Sequence, residues 1–288
     1  RSLELLAQAD IVLCEWGLGN AAWYSQHKRD DQALIVRVHS QELFRSYFSR
    51  MALANVDRFV FVAPHIMDAA KRFRGVAGRP AEVIPNIVRP AGTFRGHAQR
   101  QFVLGMVGIV PRGKRFDRAV ELLALLRAHD DRYVLRVKGR QPEDYPWMAA
   151  RPEEMRYYED LRRRLEEDPV LRGAVHLDGF SSEREELERW YGSIGVALSV
   201  SDFESFHFTV VDGAMNGAVP RVLTWPGADR LFPAEWLSSN LDEMRDSILA
   251  LRDQEEYDVA ARAARAETEE RFSGRASLDR WSEIICKA

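Results

Sequence analysis

The chain has 288 residues, with 46% hydrophobic and 30% charged residues and a formal net charge of −3. That length suffices for two domains with sizeable cores, and the charge balance supplies no global basic field for nucleic acid. No apolar run reaches about 18 residues and no signal peptide is visible, so a transmembrane segment is not expected and the chain is expected to be cytoplasmic, with at most peripheral membrane contact. Its two cysteines, Cys14 and Cys286, make neither a disulfide framework nor a zinc site. The chain lacks an initiator Met and opens on a helix-like stretch, so it is read as a piece of a longer protein.

Residues 2–8 read as a short helix and 10–15 as a strand with IVLCE at its core. Gly17-Leu18-Gly19-Asn20-Ala21-Ala22 follows, a match to the dinucleotide-binding fingerprint between a strand and a helix. That fingerprint wants an acid at the end of the next strand to hold a ribose. Strand 33–38 ends instead in His39-Ser40. The missing acid weighs against a nicotinamide or flavin enzyme and for a glycine turn in a Rossmann-like half. The pattern then predicts an amphipathic helix over 41–53, a strand at 58–62, a proline-started helix at 64–73 and a strand at 82–85 followed by Asn86. An Arg-, Pro- and Gly-rich linker runs over 89–99.

The second half opens with strand 101–107 and the loop Gly108-Ile109-Val110-Pro111-Arg112-Gly113-Lys114. Helix 116–127, strand 132–138 and the turn Gly139-Arg140-Gln141-Pro142 come next. Tyr145, Pro146 and Trp147 then belong to a packed loop or a cleft rim. In the charged helix 152–167, Met155, Tyr158, Leu161 and Leu165 recur at helical spacing and form the buried face. Strand 174–177, with a structural His176, leads into Asp178-Gly179-Phe180, and helix 184–191 follows. Residues 197–224 organise the chain: a buried strand at 197–200, a polar turn, a helix from Phe208 that ends at Gly217, and a strand at 219–223. This is a tight crossover in a parallel sheet, and ligands bind beyond the carboxyl ends of such strands. Trp225-Pro226-Gly227-Ala228 is a rigid turn, and helices are predicted at 241–251, 255–272 and 275–286.

Two carboxylates bracket the organising turn. Glu204 and Asp212 are separated by seven residues. Eight helical steps would set their Cα atoms about 12 Å apart, the scale of a nucleoside-diphosphate sugar between ribose and hexose. N–H groups at a helix start, near residues 205–208, have no intrahelical acceptor and suit a phosphate. The alternative is an ordinary βαβ unit with two solvated acids on its helix.

Glu, seven residues, Glu, then Ala-Met-x-x-Gly-x-Pro is the pattern of retaining glycosyltransferases of family 4. The chain resembles it in Glu204, Asp212, Ala214, Met215, Gly217 and Pro220. Asp stands at the second Glu, and Ser205, Phe206 and His207 stand where the family has Gly-Phe-Gly. Pro85-Asn86 matches the family's Pro-Asn-Gly, with Ile87 at the glycine. The resemblance implies an α/β, GT-B fold of two Rossmann-like domains facing a cleft, the first incomplete. Residues 1–95 are then a partial acceptor-side domain, 96–272 the nucleotide-sugar (donor) domain, and 273–288 a helix returning to the first domain. It implies transfer of a sugar from a UDP- or GDP-linked donor to an acceptor hydroxyl with retention of configuration, in glycan or polysaccharide synthesis. No cofactor is implied, and no Asp-x-Asp metal motif appears.

By the same resemblance Glu204 and His39 are catalytic. Lys114 falls on the family's loop lysine, and Ile109 on its loop arginine, for which Arg112 would substitute beside Gly108. Gly179 and Phe180 lie against the base, Ser205, Phe206, His207 and Phe208 near the phosphates, and Asp212 at the ribose. The partners implied are a nucleotide sugar and an acceptor (glycan, lipid-linked glycan or small molecule), with no nucleic acid. The competing reading is a non-catalytic relative that binds a nucleotide sugar or a partner, which Ile109, Asp212 and the short first domain favour.

Overall fold

Parallel strands buried on both faces read as near-continuous apolar runs, and Ala33–Val38 is such a run. In the computed structural model, which describes residues 1–89 and 99–287, it forms the second strand of a four-stranded parallel sheet. The order is β1 (Ile11–Cys14), β2 (Ala33–Val38), β3 (Arg58–Phe61), β4 (Ala81–Val83). Most of the linker expected at 89–99 lies outside the described residues, as does the boundary expected between 95 and 96. The chain divides into two compact units. One comprises residues 1–87, 204–206 and 272–288, and the other residues 88–203 and 207–271.

In the first unit, α1 (Ser2–Gln8), α2 (Gly19–His27), α3 (Ser40–Leu43) and α4 (Pro64–Phe73) accompany the sheet. The chain's last helix, α11 (Gly274–Lys287), brings Ile284 and Trp281 onto Ile35, Val60 and Ile84. Arg37, on β2, gathers several of these parts. Its guanidinium donates to Asn86 Oδ1 at 2.7 Å and to the Pro85 carbonyl at 3.4 Å, pairs with Glu15 at 3.1 Å and lies 5.6 Å from the Trp281 ring centroid.

The helix predicted over 41–53 does not form. Only the single turn α3 is helical, followed by 3-10 turns at Phe48–Arg50 and Leu53–Asn55. The Arg74 guanidinium donates to the Leu43 carbonyl, the group to which the Tyr47 N–H would bond if the helix continued. The Ser49 hydroxyl takes the Ser46 carbonyl at 2.8 Å. Side chains that compete for backbone acceptors end helices.

The second unit holds a six-stranded parallel sheet. Its strands are β5 (Val103–Val107), β6 (Val134–Lys138), β7 (Val175–Leu177), β8 (Val196–Ser199), β9 (Val219–Leu223) and β10 (Leu237–Ser238). Their spatial order is β10-β9-β8-β5-β6-β7. The chain therefore runs outward from β5 to β7, returns to the centre at β8 and runs outward the other way. Around the sheet lie α5 (Phe116–Arg127), α6 (Pro152–Glu167), α7 (Arg184–Ser193), α8 (Phe208–Met215), α9 (Leu241–Leu249) and α10 (Gln254–Phe272). Residues Leu104, Leu122, Leu126, Leu135, Leu198 and Ile248, all buried, belong to its main core. On α6, Tyr158 and Leu161 are buried, as their spacing predicted. Helix α8 sits directly on β8: a Cβ on Gly213 would come 2.5 Å from that of Ala197, so only glycine fits there. Among the described residues no helix is long and apolar enough to cross a membrane.

Candidate functional site

The return of the chain from β7 to β8 makes the carboxyl ends of β5 and β8 a topological switch point, where open α/β sheets bind ligands. Backbone is bare there. Gly108, Gly139 and Gly179 close β5, β6 and β7 with φ of 74°, 141° and 67°, a region that glycine enters without a Cβ penalty. They are stitched together: the Gly108 N–H donates to the Lys138 carbonyl at 2.8 Å, and the Gly139 N–H to the Gly179 carbonyl at 2.9 Å. A Cβ on Gly139 would lie 3.2 Å from the Gly108 Cα. Beside this terrace the ring of Phe180 is 56% exposed, with the Arg140 guanidinium 4.5 Å from its centroid.

The loop after β5 sends its side chains in different directions. Ile109 is 3% exposed and belongs to the main core, and its carbonyl accepts the Tyr158 hydroxyl at 2.8 Å. Arg112 turns to α6: its N–H donates to Glu154 at 2.8 Å and its guanidinium lies 5.0 Å from the Tyr157 ring centroid. Lys114 ends the 3-10 turn Arg112–Lys114 and is half-buried.

Two cations that the sequence reading passed over tie this loop to the one after β8. Arg115 pairs with Asp117 at 2.8 Å and with Asp202 at 2.9 Å, and Arg118 reaches Asp202 at 3.0 Å. The Asp202 N–H donates to the Gly113 carbonyl at 2.9 Å. Hydrogen bonding to Asp117 raises the Arg115 pKa further, so this charge is permanent. Arginines at a helix start oppose the helix dipole and need acids to hold them there; the sequence shows Asp117 close by but not Asp202, which the sheet order brings in.

His207 precedes α8 with φ of 67°, a left-handed conformation that costs a non-glycine residue on the order of 1–3 kcal/mol. Its Nδ1 lies 2.6 Å from Ser199 Oγ, which also accepts the Trp225 indole N–H at 3.2 Å. Phe208 opens α8, and Asp212 lies one turn further along. Burial, then the charge of Glu188, pushes the Asp212 carboxyl up to about 6. Burial and Asp212 itself raise the Tyr191 phenol in turn, against a hydrogen bond with Thr209 that lowers it. Asp212 thus lies near Glu188 and Tyr191 of α7.

Glu204, Ser205 and Phe206 group with the first unit. The Glu204 carbonyl lies 2.9 Å from His65 Nε2. The Ser205 hydroxyl lies 2.6 Å from that of Ser40 and accepts the Ser40 N–H at 3.2 Å. The buried Phe206 ring packs edge-on against Phe272, with centroids 5.1 Å apart. In the same unit Trp16 stacks on His39, with centroids 4.0 Å apart. His39 Nδ1 lies 3.6 Å from Oε1 of Glu42, and that oxygen accepts the N–H groups of Gly17 at 3.3 Å and His39 at 3.1 Å. Glu42 was not anticipated, because an acid in a predicted amphipathic helix reads as surface.

The structure thus groups Gly108, Arg112, Lys114, Gly179, Phe180, His207, Phe208 and Asp212 in the second unit, and His39, Glu204, Ser205 and Phe206 in the first. Among the described residues no three His, Cys, Asp or Glu side chains gather as a metal site.

No protein-family profile matches the sequence, and no curated protein matches it. Solved structures do. Anabaena HepE in complex with UDP-glucose superposes with a TM-score of 0.76 at 16% identity, over 99% of this chain and 82% of that one. The pneumococcal O-GlcNAc transferase GtfA, solved with UDP and GlcNAc, gives 0.70 at 17% identity, over 99% of this chain and 58% of that one. S. aureus TarM with fondaparinux, α-GlcNAc-glycerol and UDP gives 0.68 at 15% identity, over 95% of this chain and 55% of that one. The fold is that of the GT-B glycosyltransferases. Its two parallel-sheet α/β units correspond to the two Rossmann-like domains of a GT-B frame, and the chain spans little more than half the length of TarM and GtfA.

Proposed function

We propose that the chain supplies the donor-binding domain and part of the acceptor side of a glycosyltransferase that moves a sugar from a nucleoside-diphosphate donor to an acceptor hydroxyl. The observation that carries this reading is the bare-backbone terrace Gly108, Gly139 and Gly179 at the switch point of the second sheet. Backbone without side chains admits a nucleotide closely, and an ammonium pairs with a phosphate as a point charge. The likeness to GT-B chains solved with UDP or UDP-glucose supports a nucleotide-sugar donor, and the resemblance to family 4 makes it UDP- or GDP-linked. Residues 96–272 serve as the donor domain and residues 1–95 with 273–288 as the acceptor side. Gly179 and Phe180 meet the base, Lys114 and the N–H groups at the start of α8 the diphosphate, and Asp212 the ribose. Glu204 and His39 act at the transferred sugar. Retention of configuration and a role in glycan synthesis rest on the resemblance to family 4.

Catalysis in this scheme is the stabilisation of the departing diphosphate, together with alignment of the acceptor hydroxyl. A second reading, a protein that binds the donor without transfer, is favoured by Ile109 in the core and by the neutralisation of Arg115 and Arg118 by Asp117 and Asp202 together. Calorimetry with UDP, GDP and their glucose, GlcNAc and mannose conjugates, followed by assay for nucleotide release, tests both. Binding with release supports the transferase, and binding without release supports the second reading. If no nucleoside diphosphate binds, both are wrong.

A further inference from the structure

The Asp202 side chain, in the loop after β8, is 51% exposed, yet two guanidinium groups converge on one of its oxygens. Arg115 Nη1 donates to Oδ1 at 2.9 Å, and Arg118 Nη2 lies 3.0 Å from the same atom. Each guanidinium is also anchored elsewhere. Arg115 gives Nε and Nη2 to the two oxygens of Asp117, at 3.0 and 2.8 Å, and the Tyr157 hydroxyl donates to Asp117 Oδ1 at 2.8 Å. Arg118 gives Nη1 to the Val200 carbonyl at 3.0 Å. The backbone of Asp202 has its own hold, through its N–H on the Gly113 carbonyl. None of these anchors runs through the Asp202 carboxylate, so its departure leaves the arginines and the loop held. The result is a preset fork of N–H donors between the loops after β5 and β8, suited to one oxygen of an anion.

An exposed carboxylate contributes little to such a contact, whereas a phosphate brings more charge and more acceptor oxygens. We propose that Arg115 and Arg118 form an oxyanion site for a phosphate group, that Asp202 fills it when no phosphate is bound, and that the phosphate taken there belongs to the donor diphosphate. The site stands on the contacts above; its assignment to the donor rests on the donor reading.

Calorimetry with inorganic pyrophosphate tests the site without a nucleoside. The wild type is expected to bind it. Asp202→Asn should bind it more tightly, by up to about 5-fold, the worth of one exposed ion pair. Residue 115 has φ of 57°, which glycine adopts freely, so Arg115→Gly removes the guanidinium without backbone strain. It should weaken binding about 10- to 100-fold, the range of one charge-assisted bond, and Arg118→Gln should weaken it too. Asp246→Asn removes the same charge from an exposed residue of α9 and should change nothing. No pyrophosphate binding, an Asp202→Asn variant that gains no more than Asp246→Asn, or full affinity in both arginine variants overturns the site. The same variants with UDP and GDP, against uridine and guanosine, test the assignment. Losses confined to the diphosphates support it. Diphosphate binding that ignores both arginines overturns it and leaves the donor reading intact. Pyrophosphate binding as stated, with no binding of UDP or GDP, keeps the site and overturns both the assignment and the donor reading.

Discussion

The buried carboxylate of Glu42 accepts the backbone N–H of Gly17 at 3.3 Å. That bond settles what the Gly17-Leu18-Gly19 turn does. A dinucleotide fingerprint keeps this amide for a pyrophosphate, and here an acidic side chain of the same unit already occupies it. The turn is glycine for packing reasons: a Cβ on Gly17 would meet Val36 Cγ1 at 3.3 Å and Glu42 Cγ at 3.6 Å.

Glu42→Ala should therefore destabilise the protein by about 2–4 kcal/mol, since it leaves the Gly17 and His39 N–H groups without their acceptor. Glu42→Gln keeps a carbonyl acceptor and should cost less. Chemical denaturation measures both, and an alanine variant as stable as wild type would show that the carboxylate is not structural. NAD and FAD should not bind.

Placing an arginine at Ile109, as the resemblance to family 4 would call for, is expected to fail. The side chain occupies a core position, 3% exposed, and an unpaired guanidinium there would lose its hydration. Ile109→Arg should cost on the order of 3 kcal/mol or more and should not tighten UDP or GDP binding. A stable variant with tighter binding would mean that the loop can turn this side chain outward.

Strands β2 and β9 and helices α4, α5 and α6 lie where periodicity and the proline and glycine punctuation put them. The 41–53 helix was misread because the Arg74 guanidinium that takes the Leu43 carbonyl comes from the residue just after α4, and periodicity carries no such long-range competitor. The two-residue β10 is too short to show any alternation. Within the site, Gly108, Gly139 and Gly179 were legible as turns. The Arg115–Asp202–Arg118 and Ser199–His207–Trp225 clusters were not, because each joins residues that only the sheet order brings together.

The Asp212 carboxyl stands at about 6, against 3.8 unperturbed, through burial and Glu188. A raised carboxyl pKa means that the folded state pays for the charged form above pH 6. That penalty fades as pH falls through 6 and is gone below the unfolded value of 3.8. Asp212→Asn should therefore stabilise the protein at pH 7.5, by about 2–3 kcal/mol at most. The gain should shrink as pH falls from 6 towards 4. Thermal unfolding across that range checks this, and a gain independent of pH would point to packing rather than charge.

Lys114→Ala should weaken a nucleoside diphosphate far more than the nucleoside, by about 1.5–3 kcal/mol for one charge-assisted bond. Equal losses in calorimetry would remove Lys114 from the phosphate site.

The two carboxylates of the organising motif should separate kinetically. Glu204 is assigned to the transferred sugar, where contacts strengthen as the leaving group departs. Only interactions stronger in the transition state than in the ground state raise kcat. Glu204→Gln should therefore lower kcat and kcat/KM together, with little change in donor affinity. Asp212 is assigned to the ribose, which does not change during transfer. Asp212→Asn should chiefly raise the donor KM, and should do so while making the protein more stable at neutral pH, the trade expected where a charged side chain is kept partly buried for binding. Steady-state kinetics with the donor that calorimetry selects decides the matter. If Glu204→Gln left kcat untouched while Asp212→Asn abolished it, the two roles would have to be exchanged.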